Sequence, residues 1–176
     1  MRSSIYIYIF FLIFFISCQE SSEPLRAWGE ASNNLQLSLD ISDDHLTEGE
    51  SGIANLLVKN ISDEQITHEL YATFNLYDEE NILRYISYFN LMAEDMISLY
   101  ESSKTNPKSN FVISPNDQRE YQIDISKLGW VQPQDSRPPY AEFYDLIQKN
   151  KYIFVSELHL ISNGEVHSNL INVEIK

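Results

Sequence analysis

The clearest pattern along the chain is the strict alternation of apolar and polar residues in LQLSLDI, residues 35–41. Such alternation is typical of a β-strand with one buried face, because successive side chains of a strand point to opposite sides. Seven further short segments, bounded by turn-forming residues, have strand-like composition: 52–60, 66–77, 82–90, 109–114, 119–125, 152–161 and 165–175. Eight short strands with frequent turns predict a mostly-β fold, a β-sandwich rather than an α/β fold.

The last two segments predict a hairpin with a definite register. Asn163 and Gly164 stand between them, a pair typical of a two-residue type I′ turn. With that turn, Ser162 pairs with Glu165. The resulting pairs further along are Tyr152 with Ile175, Phe154 with Val173 and Ser156 with Ile171. Directly opposed residues share a face of the sheet, so this register collects an apolar stripe on one face of both strands.

Two segments have helical spacing instead. In residues 91–103, LMAEDMISLYESS, apolar residues recur at 92, 96, 99 and 100 after Asn90, a plausible N-cap. Residues 138–150, PPYAEFYDLIQKN, begin with proline and place aromatic and aliphatic residues on one helical face. We therefore expect one or two short helices in long loops, lying against the sandwich or covering an open end.

Three sequence features resemble immunoglobulin-like domains of bacterial surface proteins. They are a tyrosine at the start of KYIFVSELHL, the SN of HSNLINVEI, and the strand and turn LLVKNISDEQI. The resemblance implies a single immunoglobulin-like β-sandwich domain over residues 35–176. It implies further that Tyr152 occupies the tyrosine-corner position and that Phe154 stands where antibody domains carry a cysteine. A resemblance of this kind implies a fold and no particular chemistry.

The start of the chain has a different pattern, with Arg2 followed by an apolar run, Ile5–Ile16. About a dozen apolar residues are too few for the ~20 that span a bilayer and match the core of a signal peptide. The run ends in FISC, which resembles the lipobox of bacterial lipoproteins. The resemblance implies a signal peptide at residues 1–17, cleaved before Cys18, with the Cys18 thiol joined to diacylglycerol. Two alternatives stay open, an incidental cysteine in an ordinary secretory signal and an uncleaved anchor.

Residues 18–34 are polar and are interrupted by Pro24 and Gly29, which predicts a tether between the anchor and the domain. Gln19 follows the cysteine, whereas an Asp there resembles an inner-membrane retention signal of enteric-type lipoproteins. We therefore expect a lipid-anchored cell-envelope protein, on the outer membrane if the host is Gram-negative. A Gram-positive host remains an open alternative.

The overall charge limits the possible partners. The chain has 12 Lys and Arg against 26 Asp and Glu, a formal net charge of −14. Such a surface repels phosphate backbones and anionic head groups, so we expect no nucleic-acid partner and membrane contact through the lipid. Sequence motifs of a serine nucleophile, a phosphate-binding loop and a zinc protease are absent. We therefore expect no cofactor and predict that the protein is not an enzyme.

The titratable residues predict no metal site. In the hairpin register derived above, His159 and His167 lie on opposite faces of the sheet, which argues against a shared metal. We interpret His45 as a solvated loop residue. The acidic loops at 43–50 and 78–80 lack the spacing of an EF-hand, so solvated turns explain them more simply than calcium.

The segment KLGWVQPQDSRPPY, residues 127–140, contains the candidate partner-binding residues Trp130, Arg137 and Tyr140. Tryptophan, tyrosine and arginine dominate binding hot spots, and here they lie in a long loop with several prolines. Two interpretations remain open for Trp130, a contact with a partner and a plug at the edge of the sandwich.

These observations predict a lipid-anchored cell-envelope protein that acts as a non-catalytic binding or structural accessory module. The expected partner is an envelope protein or a polysaccharide. The alternative is an inhibitor of an exported protease, since some small bacterial inhibitors have immunoglobulin-like folds and present an exposed loop.

Overall fold

The computed structural model describes residues 26–91, 96–98, 110–133, 141–160 and 164–176. The predicted signal peptide and Cys18 lie outside these ranges, as do Arg137 and Tyr140. No helix of the described ranges is long and apolar enough to cross a bilayer.

The described residues form mostly β-structure, which confirms the predicted fold class. The strands are β1 (Leu35–Ile41), β2 (His45–Leu46), β3 (Ile53–Asn60), β4 (Ile66–Tyr77), β5 (Leu83–Leu91), β6 (Met96–Ser98), β7 (Asn110–Ile113), β8 (Gln118–Asp124), β9 (Gly129–Trp130), β10 (Ala141–Glu142), β11 (Asn150–Leu160), β12 (Gly164–His167) and β13 (Ile171–Ile175). The helical elements are a 3-10 helix, Ile125–Lys127, and a single-turn helix α1, Phe143–Leu146.

Apart from β9 and β10, which pair with each other, the described strands form two sheets that pack into an immunoglobulin-like sandwich. One sheet has the order β1-β3-β8, and the other has the order β2-β13-β11-β4-β5-β6. In the second sheet β12 also pairs with β11, while β7 pairs with the first residues of β4. The chain crosses between the sheets after β1, since β2 pairs in parallel with the last strand, β13. Antiparallel sheets joined in this order are typical of immunoglobulin-like domains.

The alternation read from the first strand is confirmed in the core. Leu35, Leu37 and Leu39 are buried, and their side chains face the second sheet's buried residues. From that sheet Phe74 contributes a ring that lies 5.0 Å from the ring of Phe154, centroid to centroid. Phe154 is fully buried, at the position where antibody domains carry a cysteine. Burial of one such side chain stabilises the fold by roughly 1.5–3 kcal/mol relative to exposure.

Tyr152 forms the tyrosine corner predicted from the sequence. Its hydroxyl donates a hydrogen bond of 2.9 Å to the backbone oxygen of Gln148, four residues upstream. Its ring meets the ring of Tyr85 edge-on at 5.9 Å. Burial raises the pKa of Tyr152, which keeps the hydroxyl protonated as a donor. The corner therefore fixes the direction in which the chain enters β11.

The final hairpin forms, but the register derived from the sequence is wrong. Leu160 pairs with Gly164, so the three residues 161–163 join the strands where a two-residue turn was expected. The pairs near the end of the chain are Tyr152 with Val173 and Phe154 with Ile171. These pairs differ from the predicted ones by two residues, an even number, so the predicted buried face of β13 is kept.

One extra residue interrupts the last strand between β12 and β13. Two residues of β11 lie opposite the three residues 168–170, which makes this segment a β-bulge. Ser168 keeps contact with β11, since its Oγ accepts a hydrogen bond of 2.9 Å from the backbone N–H of Ser156. Asn169 turns to the other sheet, where its amide donates to the backbone oxygen of Leu39 (2.9 Å) and accepts from its N–H (2.7 Å). The bulge thereby ties the two sheets together.

The described part of the predicted tether, residues 26–34, lies along the edge of β1. The backbone N–H of Gly29 donates to the oxygen of Leu37 at 2.8 Å. The hydroxyl of Ser38 donates to the oxygen of Ala27 at 2.6 Å. A side chain at position 29 would collide with the backbone of β12, which explains the glycine. Because the chain contacts β1 from Ala27 onward, the segment between Cys18 and the domain is shorter than the predicted tether, residues 18–34.

Within their described residues, the two predicted helices are largely replaced by other structure. Within residues 91–103 the structure describes a strand end at Leu91 and strand β6, and it places Met96 opposite Leu91. Strand pairing with β5 therefore overrides the helical spacing, as tertiary contacts commonly override local propensity. Of the second segment, the structure describes residues 141–150, and within them only Phe143–Leu146 form a helix. The helix ends at Leu146 because Ile147 has extended backbone geometry, and the chain then leads into the tyrosine corner and β11.

Candidate functional site

Trp130, the described member of the predicted binding segment, is fully buried. Its indole N–H donates to the backbone oxygen of Ile125 at 3.0 Å, and its ring meets Phe143 edge-on at 5.4 Å. A buried ring of this kind presents no surface to a partner. In this structure Trp130 has the plug role, the second of the two interpretations, while Arg137 and Tyr140 lie outside the described residues.

A cavity of about 410 Å³ opens beside this segment, at the end of the sandwich that carries the tyrosine corner. Its lining includes polar and aromatic side chains from three parts of the chain: Asp78, Arg84, Tyr85, Gln132 and Tyr152. The lining continues to Pro133, where the described part of this loop ends.

Asp78 organises the acidic loop at this end. Its carboxylate accepts hydrogen bonds from the backbone N–H groups of Glu80 (3.0 Å) and Ile82 (2.9 Å) and forms an ion pair with Arg84. The hydrogen bond from Ile82 and the adjacent guanidinium lower the pKa of Asp78. The carboxylate is thus engaged within the turn, which agrees with the interpretation of residues 78–80 as a structural loop.

A second acidic group surrounds His45 at the start of β2. The Nδ1 of His45 lies 2.7 Å from Asp44 Oδ1, and its Nε2 lies 3.2 Å from Glu174 Oε2 in β13. Asp43, Asp44 and His45 each offer one ligand atom within 4.8 Å of the others. All three residues are exposed. Their contacts fasten β2 to β13, and their geometry alone assigns no ligand.

The structure overturns the prediction that His159 and His167 lie on opposite faces. In the observed register His159 pairs with Glu165 and His167 pairs with Glu157, so all four side chains lie on the outer face of β11 and β12. We refer to Glu157, His159, Glu165 and His167 as the histidine–glutamate cluster. The error arose from the assumed two-residue turn, which shifted β12 by three residues and so exchanged its faces.

Each imidazole of the histidine–glutamate cluster contacts both carboxylates. The four nitrogen–oxygen distances are 3.5 Å for His159 Nε2 to Glu157 Oε2, 3.3 Å for His159 Nδ1 to Glu165 Oε1, 3.4 Å for His167 Nδ1 to Glu157 Oε1 and 3.8 Å for His167 Nε2 to Glu165 Oε2. The contacts close a ring in which histidine and glutamate alternate. Two side chains of each kind are thereby concentrated on one small area of the sheet.

Residues of β4 support the β11 half of the cluster. The hydroxyl of Tyr77 donates to Glu157 Oε1 at 3.2 Å, and Thr73 Oγ1 lies 3.3 Å from His159 Nε2. The ring of Tyr71 stacks on the imidazole of His159 at 4.6 Å with an angle of 12° between the planes. Burial, together with the charge of Glu157, raises the pKa of Tyr77 to about 12, so its hydroxyl remains a donor.

One sequence signal could have revealed this cluster. The pattern Glu-x-His occurs in both strands of the hairpin, as ELH at 157–159 and as EVH at 165–167. On antiparallel strands the two patterns run in opposite directions, so the register that pairs residue 157 with residue 167 places each glutamate opposite a histidine. The alternation of the apolar residues alone does not specify that register.

Comparisons with known proteins give similar folds and no family. No protein-family model matches this chain, and no curated protein gives a significant match. A solved structure of alkylpurine DNA glycosylase AlkC from Pseudomonas fluorescens, bound to DNA containing an abasic site analogue, has 7% identity and a TM-score of 0.45 over 83% of this chain. The C-terminal domain of Wzt has 8% identity and a TM-score of 0.48 over 87% of this chain and 79% of its own.

A third similar structure is the sporulation control protein Spo0M from Bacillus subtilis, with 11% identity and a TM-score of 0.40 over 82% of this chain. The chain spans 31% of the AlkC chain and 50% of the Spo0M chain. At these low identities and TM-scores the similarities assign no function to this chain.

The prediction that the protein is not an enzyme is contradicted by the match to AlkC, which is a DNA glycosylase. That prediction relied on the absence of known catalytic motifs, and such an absence excludes only the reaction classes that those motifs mark. The similarity to AlkC, at 7% identity, identifies no catalytic residue and no substrate in this chain.

The plug role of Trp130 predicts a large loss of stability in Trp130→Ala. Removal of a fully buried tryptophan leaves a cavity and removes the indole hydrogen bond to Ile125, so we expect the free energy of unfolding to fall by about 3–5 kcal/mol. Urea unfolding followed by circular dichroism measures this change. Trp28→Ala is the matched control, because the half-buried Trp28 ring contacts Lys59 Nζ at 5.7 Å and should cost about 1 kcal/mol. An unchanged unfolding midpoint in Trp130→Ala would contradict the plug role.

The lowered pKa of Asp78 predicts that its contribution to stability depends on pH. A carboxyl group whose pKa is lowered by folding stabilises the protein above its unfolded pKa, near 3.8, and the effect is lost as the pH falls through the folded pKa. We expect Asp78→Asn to be less stable than the wild type at about pH 7 and equally stable at about pH 2. Unfolding in urea at both pH values measures the difference. Glu79→Gln, which removes an exposed charge from the same loop, should show little change at either pH; a pH-independent deficit in Asp78→Asn would contradict the assignment.

Proposed function

We propose that this protein is a lipid-anchored cell-envelope protein whose sandwich domain binds an envelope protein or polysaccharide as an accessory module. The observation that carries the proposal is the position of Cys18, directly after a signal-peptide-like apolar run and ahead of the folded domain. Two acyl chains or more anchor a protein durably, whereas one gives only marginal binding. The anchor is therefore sufficient to hold the domain at a membrane.

The number of residues between anchor and domain supports this proposal. Ala27 is hydrogen-bonded to β1, so the span from Cys18 contains the eight residues 19–26. A chain reaches at most about 3.3–3.6 Å per residue, which gives roughly 30 Å. A domain held within that distance meets partners on the same surface at a high effective concentration.

The charge of the chain supports the same type of partner. A formal net charge of −14 repels nucleic acids and anionic head groups, so contact with the membrane is through the lipid. Gln19 in place of Asp is compatible with transfer to the outer membrane if the host is Gram-negative. The domain then extends from the membrane surface and leaves both sheets accessible to a partner.

Lipidation at Cys18 predicts that labelled palmitate enters the protein in growing cells. Cys18→Ala should lose the label and leave the membrane fraction, because no other thiol can accept diacylglycerol. Ser21→Ala, three residues away, is the matched control and should keep both properties. Label that persists in Cys18→Ala would refute the anchor.

The binding function predicts a discrete partner at the envelope. Mild cross-linking in intact cells, followed by detergent extraction and mass spectrometry, should recover an envelope protein or a polysaccharide with the wild type. Cys18→Ala should recover much less of it, because the untethered domain loses its high local concentration. Equal recovery with both forms, or none with either, would contradict a tethered accessory module.

A further inference from the structure

We propose that the histidine–glutamate cluster binds one divalent transition-metal ion of the Zn²⁺ type. The proposal rests on the observed register of β11 and β12 and is independent of the lipid anchor. Two imidazoles and two carboxylates form a ligand set that zinc accepts in proteins. The following observations concern how the fold positions these four side chains.

The four side chains of the cluster are adjacent, but no three of them direct one donor atom each to a common point. The nitrogen–oxygen contacts within the cluster run from 3.3 to 3.8 Å. Ligand atoms about 2.0–2.2 Å from a zinc ion in tetrahedral geometry lie roughly 3.3–3.6 Å from one another. Each neighbouring histidine–glutamate pair is therefore about as close as two ligands of one metal, although the pairs use different donor atoms of each side chain.

The β11 half of the cluster is held in place before any metal binds. The side chains of Glu157 and His159 are 13% and 18% exposed. Glu157 receives the hydroxyl of Tyr77, and His159 is fixed by the stacked ring of Tyr71. Outer groups that hydrogen-bond to ligands and orient them are a regular feature of metal sites. These contacts therefore provide two ligands at low cost in conformational entropy.

The β12 half of the cluster can complete the site by rotation. His167 and Glu165 have side chains that are 51% and 57% exposed. In the observed ring of contacts, each side chain of the cluster uses one donor atom for one neighbour and its other donor atom for the second neighbour. To bind a metal, His167 and Glu165 must each rotate so that one donor atom points towards Glu157 and His159 on β11. Exposed side chains make such a rotation without a change of the backbone.

The chemistry of the donors selects the type of metal. Imidazole nitrogen favours zinc, copper and nickel, whereas calcium and magnesium prefer sites made of oxygen atoms alone. Two carboxylates balance the charge of a divalent ion. The group at His45 differs, since its three consecutive, exposed residues offer one imidazole, where the histidine–glutamate cluster offers two.

Calorimetric titration of Zn²⁺ into the full chain in detergent, without a polyhistidine tag and with excess Mg²⁺, tests the proposal. We expect one Zn²⁺ per chain and a melting temperature that rises with Zn²⁺ and returns on chelation. The substitution His167→Gln, at an exposed position, and the double substitution His159→Gln/His167→Gln should each weaken Zn²⁺ binding at least tenfold. Loss of a residue that only orients a metal ligand already weakens binding by about tenfold or more, and loss of a ligand should cost at least as much. His45→Gln is the matched control and should bind as the wild type does.

Three outcomes would overturn the proposal. They are the absence of Zn²⁺ binding to the wild type, unchanged affinity in His159→Gln/His167→Gln, and loss of binding in His45→Gln alone. Circular dichroism of the metal-free variants shows whether the fold is intact, and His167→Gln decides the matter if the double variant is unfolded. Because a soluble Cys18→Ala chain should bind Zn²⁺ equally well, failure here is distinguishable from failure of the lipid anchor.

Discussion

The extra residue in the bulge 168–170 determines which side chains of the last hairpin face the core. In an uninterrupted strand, residues an even number apart share a face, so Glu165 and His167 would point the same way as Val173. The bulge exchanges the faces: Val166 is buried in β12, while Val173 is buried in β13. Both halves of the strand thus bury valine, and the charged residues of β12 face outward. Without the bulge, one half of the strand would bring charge into the core, at a cost of several kcal/mol for each unpaired group.

The same bulge connects the outer cluster to the packing between sheets. Asn169 leaves the ladder and satisfies both backbone groups of Leu39 in β1, an edge strand with unpaired groups. Ser168, by contrast, remains hydrogen-bonded to Ser156 of β11. One short segment therefore joins the sheets, protects an edge and sets the register that brings His167 opposite Glu157. A change at the bulge would affect all three at once.

The sequence predicted local features well and the long-range ones poorly. Alternation in residues 35–41 depends on nearest neighbours along the chain, so β1 and its buried leucines follow directly from it. The role of Tyr152 follows from the resemblance to immunoglobulin-like domains, and its hydrogen bond to Gln148 spans only four residues. The hairpin register failed because it depends on a bulge whose Asn169 binds Leu39, 130 residues away. The proposed helix over 91–103 failed in part for the same reason, since pairing with β5 decides the structure of Met96–Ser98.

Aromatic packing takes the place that a disulfide holds in antibody domains. The only cysteine of the sequence is Cys18, which precedes the residues of the sandwich, so the sandwich contains no thiol to cross-link its sheets. Phe154 occupies the cysteine position of β11 and packs against Phe74. Trp130 and Phe143 close the edge of the sandwich with an indole hydrogen bond to the backbone. A disulfide stabilises mainly by restricting the unfolded chain, whereas these rings stabilise through burial. The stability of this domain therefore depends on the completeness of its core and is independent of the redox state of its surroundings.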